Sequence, residues 1–124
     1  MLQLDCGVSA EGDTITLNLP SRNGETCALV LTFEEASALA MTLPRLLTIA
    51  LRRKYADGAL RHVYPLSGYT VECASDYRHL LVTLAANDGF DVVFAVSIER
   101  AAALARELVE SGSLLAGAQP VLRN

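Results

Sequence analysis

A chain of 124 residues that repeats itself has few folds open to it. Here "LTFEEASALA" (Leu31–Ala40) returns sixty-five residues later as "VSIERAAALA" (Val96–Ala105). Held at that offset without a gap, Ile15, Leu17 and Leu19 meet Leu80, Val82 and Leu84. Asn23-Gly24 meets Asp88-Gly89, and Leu29 and Leu31 meet Phe94 and Val96. Thr32 meets Ser97, Glu34 meets Glu99, and Leu39, Ala40 and Leu43 meet Leu104, Ala105 and Leu108. Alanine-rich helices resemble one another cheaply. Turn, strand and cap residues agreeing in one register do not, and they point to one supersecondary unit used twice.

Each stretch has a local cause. "DTITLNL" (Asp13–Leu19) alternates polar and apolar residues, the pattern of a half-buried strand. Asn-Gly within "SRNGET" then predicts a tight hairpin whose two central residues both take positive φ. "CALVLT" follows as a strand with apolar residues on both faces, and "HLLVTLA", "NDGF" and "DVVFAVS" repeat the plan. Thr32 stands where a helix N-cap belongs, with Glu35 three residues on to complete a capping box. Ser97 keeps the cap, but Arg100 replaces the glutamate. Upstream, Leu4, Cys6 and Val8 alternate, as do Tyr69, Val71 and Cys73 at the same offset.

The expected fold class is therefore α+β: an internal duplication of a strand–strand–strand–helix unit with pseudo-twofold symmetry, antiparallel sheet and two main helices. One such unit protects its core poorly, whereas two joined edge to edge or packed face to face bury what one cannot. The expected boundaries within a single domain are 1–55, a connector 56–65, a second unit 66–112 and a tail 113–124. Pro44 is expected to kink or break the first helix, since it removes a backbone donor and clashes with the preceding turn. The apolar run Leu46, Leu47, Ile49, Ala50, Leu51 would then turn and pack elsewhere. The second helix is expected to stop near Ser111-Gly112.

Apolar residues make up 52% of the chain and charged ones only 19%, which excludes intrinsic disorder and leaves apolar surface to spare. The expectation is a homodimer that acts by association rather than catalysis. Its interface would use the sheet face away from the helices, at Ala28, Val30, Leu81, Val93 and Ala95, together with Leu46 and Leu47 after the proline. The net charge of −4 argues against unspecific attraction to nucleic acid or anionic lipid. No apolar run is long enough to cross a bilayer, and "MLQLDCGVSA" lacks the basic leader of a secretory signal. Three cysteines, Cys6, Cys27 and Cys73, without a C-x-x-C pair fit reduced, buried thiols in a cytoplasmic protein.

Two other functional readings stay open at this point. Arg45, Arg52, Arg53, Lys54, Arg61 and His62 form a local basic cluster that a polyanion or single-stranded nucleic acid would seek. The order of elements resembles duplicated single-strand-binding folds of the PUR and Whirly kind, although those generally use four strands per unit and three are expected here. The bland alternative is a helix C-terminus decorated with cations, which the helix dipole favours. The third reading is a small-molecule or enzymatic site between the units, lined by Tyr55, Tyr64, Tyr69, Tyr77 and His62. No nucleophile elbow, glycine-rich phosphate loop or histidine beside an evident base supports it. Cys6, Cys73 and His79 have no recognised ligand spacing, so no metal or cofactor is implied.

Overall fold

A computed structural model describes residues 4–87 and 89–118. The chain divides into two units, Met1–Val63 and Tyr64–Asn124. The first contains β1 (Asp5–Val8), β2 (Thr14–Pro20), β3 (Thr26–Thr32) and α1 (Phe33–Lys54). The second contains β4 (Gly68–Cys73), β5 (His79–Ala85), β6 (Asp91–Ser97) and α2 (Ile98–Ala118). The fold is α+β, two antiparallel three-stranded sheets ordered β1-β2-β3 and β4-β5-β6, each followed by its helix.

The two ladders share one register. Cys6 pairs with Leu17 and Leu17 with Leu29; at an offset of 65, Val71 pairs with Val82 and Val82 with Phe94. The turns agree as well. Gly12 donates its N–H to the Ser9 carbonyl (2.9 Å) and Tyr77 to that of Ala74 (3.1 Å). Both residues at this position are left-handed, Gly12 at φ 78° and Tyr77 at φ 57°.

The second turn differs from the expected hairpin. Gly24 has φ 87°, but Asn23 does not share a positive φ. Gly24 donates to the Ser21 carbonyl (3.2 Å) and Ser21 to that of Glu25 (2.7 Å). This is a four-residue turn closed by one left-handed glycine, the longer of the common hairpin connections. The Asn23 side-chain oxygen meets the Ser21 hydroxyl and the Glu25 N–H, which explains asparagine without a left-handed backbone. Asp88, the matching residue of the second unit, lies outside the described residues.

Both caps are in place. Thr32 Oγ1 accepts the Glu35 N–H (3.1 Å) while Glu35 Oε1 accepts the Thr32 N–H (2.9 Å). Ser97 Oγ accepts the Arg100 N–H (3.2 Å). Two expected helix ends, a break at Pro44 and a stop at Gly112, are corrected. Pro44 does not break α1, which runs through it for 22 residues. Pro44 and Ala40, whose carbonyl loses its helix donor, are both exposed residues. Nor does α2 stop at Gly112; it continues to Ala118 for 21 residues in all. A mid-helix glycine costs only about 1 kcal/mol, and the following Ser-Leu-Leu-Ala keeps helical propensity.

Candidate functional site

Strand alternation and register sort the second sheet into two faces. On one, Tyr69, Leu84 and Val92 form a row; Val71, Val82 and Phe94 form the next; Cys73, Leu80 and Val96 form the third. Every residue of this grid is apolar or aromatic. The first sheet carries the same plan with Cys6, Leu17, Leu29 and Val8, Ile15, Leu31. Such a face belongs in a core. Yet no described residue of either unit is buried, and Tyr69 is 70% exposed, Val71 54% and Phe94 49%.

The cause is visible in the chain. Phe33 begins α1 directly after Thr32, and Ile98 begins α2 directly after Ser97. Strand-to-helix connections usually take two to six residues, and without them a helix cannot double back over its own sheet. The sequence expectation placed the interface on the other face because it assumed that the helices cover this one. Within each unit they do not. The other face is exposed too, but mixed: Val30 and Val93 are 58% and 57% exposed, Ala28 and Ala95 are exposed, and Leu81 is half-buried. These share the face with Thr16, Asn18, Thr83 and Glu72. Leu46 and Leu47 lie exposed on the continuous α1.

A second feature escaped the sequence reading, which saw no histidine beside a base. Asp76 Oδ2 lies 2.8 Å from His79 Nδ1. Asp76 Oδ1 accepts the N–H groups of Arg78 (2.8 Å) and His79 (3.1 Å). The Arg78 N–H foremost, then the His79 ring, hold the Asp76 carboxyl below the usual carboxylate range. Tyr77, Arg78 and His79 line an open depression of about 500 Å³ with Ser97, Ile98 and Glu99. His79 stands opposite Ser97 across the ladder, but Ser97 Oγ is engaged as the α2 cap. His79 and Asp76 are 41% and 49% exposed. Chemically this is an aspartate turn that orients an imidazole in water, and it encloses no substrate. An aspartate three residues before a histidine, across a turn, was the available signal.

The residues of the basic cluster come from α1 and from the segment that follows it. Arg52, Arg53 and Lys54 are consecutive in α1, so their side chains leave the helix about 100° apart. Arg45 shares the stripe of Arg52, but Arg52 Nε donates to the Leu60 carbonyl (2.8 Å). Lys54 Nζ sits 5.5 Å from the neighbouring Tyr55 ring. The His62 N–H donates to Thr48 Oγ1 (3.0 Å), so the segment carrying Arg61 and His62 folds back along the end of α1. All three cations of the last turn favour the helix dipole.

Cys6, Cys27 and Cys73 are free and exposed, correcting the expectation that they are buried. They sit on the uncovered apolar faces, and that is why alternation alone misplaced them. Cys73 and His79 occupy opposite faces of the second sheet. Among the described residues no group of three or more His, Cys, Asp or Glu side chains is placed to hold a metal. Tyr64 stacks on Phe90 at 4.9 Å, and Tyr55, Tyr64, Tyr69 and Tyr77 are all exposed. No described helix is long and apolar enough to cross a membrane. No protein-family model, curated protein or solved structure matches the chain.

Proposed function

We propose that this protein acts by association and that its working form is a homodimer, joined through a sheet face or a strand edge. The observation that carries this reading is the uncovered grid centred on Val82. In the second unit, five residues of the grid and six of α2 are large, apolar and exposed. At roughly 150–250 Å² per large side chain and about half exposure, they present on the order of 1,000 Å². A stable dimer needs about 800 Å² per partner. Summed over sheet and helix, the exposed apolar side chains of one unit amount to about what a dimer takes from each partner.

The two units, in this reading, are duplicates of one strand–strand–strand–helix unit with pseudo-twofold symmetry. Shared ladder register, shared turn hydrogen bonds and the left-handed positions at Gly12 and Tyr77 support it. The experiment is sedimentation velocity across a hundredfold concentration range. A dimer that persists to the lowest concentration is expected. A strict monomer throughout would overturn the reading.

A further inference from the structure

The two sheets treat their edges unequally. β1 has only four residues and includes Asp5 and Gly7, and β4 contains Gly68 and Glu72. Short length, charge and glycine are the usual protections of an exposed edge. β6 is as long as the central strand, and past Asp91 at its start it has none of them. From Val92 to Val96 it carries no charge, proline or glycine, and it is apolar on both faces. That composition belongs to a strand flanked on both sides, yet β6 is the edge of its sheet.

Resting on the association proposed above, we propose that β6 is the joining edge. It pairs antiparallel with β6 of a second copy about a twofold axis at Phe94. Hydrogen-bond parity supports the register. Ala86 donates its N–H to the Phe90 carbonyl at the turn, and bonded and non-bonded pairs alternate along an antiparallel ladder. The N–H groups of Val92, Phe94 and Val96 therefore face β5, and those of Val93 and Ala95 face outward. A twofold axis at Phe94 sets Val93 opposite the second copy's Ala95, donor rows matched, with all seven residues of the strand overlapping. Phe94 meets its own copy at the closer, non-bonded type of pair, where an aromatic pair gains most. Asp91 falls opposite the second copy's Ser97, so no like charges oppose. The two apolar grids then lie side by side on one six-stranded face, so the edge joins the copies without covering either grid.

The test uses the full chain with Cys6, Cys27 and Cys73 replaced by alanine, since all three thiols are exposed. In that background Phe94→Cys should cross-link rapidly into a disulfide dimer under mild oxidation, whereas Thr83→Cys, in the central strand, should not. Separately, Val93→Pro removes an outward N–H from each copy without touching the β5 ladder. It should raise the dimer dissociation constant about 100-fold while far-ultraviolet circular dichroism keeps its strand content. If Val93→Pro does not fold, the cross-link decides. A dimer that shows neither the Phe94→Cys cross-link nor weakening by Val93→Pro would overturn the edge and leave association standing. A wild-type chain that is monomeric at every concentration would overturn both.

Discussion

Replacing Pro44 by alanine should stabilise the protein. α1 runs unbroken through Pro44, and the residue one turn earlier, Ala40, is exposed. The substitution returns one N–H to the helix ladder and relieves the ring's clash with the Ala40 carbonyl, together worth about 3 kcal/mol in a helix interior. Against this, proline restricts the unfolded chain, a contribution of about 0.4–1 kcal/mol that alanine gives up. Thr42 Oγ1, bonded to the Ala38 carbonyl at 2.7 Å, bends helices slightly and lets this turn tolerate the ring, which trims the gain further. The net expectation is about 2 kcal/mol.

Urea unfolding followed by circular dichroism measures it, at one fixed protein concentration because association contributes to apparent stability. With a slope of about 2 kcal/mol per molar, the midpoint should rise by about 1 M while the slope stays constant. The competing idea is that a bend at Pro44 aims Leu46–Leu51 at a partner surface. In that case Pro44→Ala would straighten the helix, misdirect those leucines and lower the midpoint. An unchanged or lower midpoint refutes the argument from continuity and revives the kink.

How far the sequence carried depends on what each element asks of its residues. Strands, caps and the offset of 65 were legible because each is a local matter: alternation in "TITLNL", a Thr32–Glu35 box, a glycine where the backbone is left-handed. The turn at Asn23-Gly24 was half legible, since the glycine is left-handed and the asparagine works through its side chain instead. Gly112 and Pro44 misled in the same way. Each costs a helix a few kcal/mol at most, while helix-forming residues on both sides are enough to carry it through. The site was less legible because period-two alternation says which face is apolar and nothing of what covers it. The deciding fact is the missing connection at Thr32-Phe33 and Ser97-Ile98. It was present in the alignment of cap against strand, but its consequence for burial is geometric. The Asp76–His79 pair depends on a left-handed Tyr77, a conformation that tyrosine does not announce.

Tyr77 offers a direct check of that strain. Tyr77→Gly should raise stability by about 1 kcal/mol, and Gly12→Ala should lower it by a similar amount, both read by thermal unfolding; opposite signs would deny that the two turns are equivalent. The acid-side prediction concerns Asp76. Its folded-state pKa lies below 3.8, so the turn's ionised carboxylate adds stability above the unfolded value and loses it as pH falls through the folded one. The amide resonances of Arg78 and His79, which bond to Asp76, should therefore titrate with a midpoint below the ordinary carboxylate value. In Asp76→Asn the side-chain oxygen still accepts both amides, so the turn should form without that acid transition. His79→Ala separates the causes. Because the N–H groups of Arg78 and His79 still bond the carboxyl without the ring, the Asp76 midpoint should rise but stay below the ordinary carboxylate value. A full return to 3.8 in His79→Ala would mean that the ring, and not the turn's backbone, holds the carboxylate.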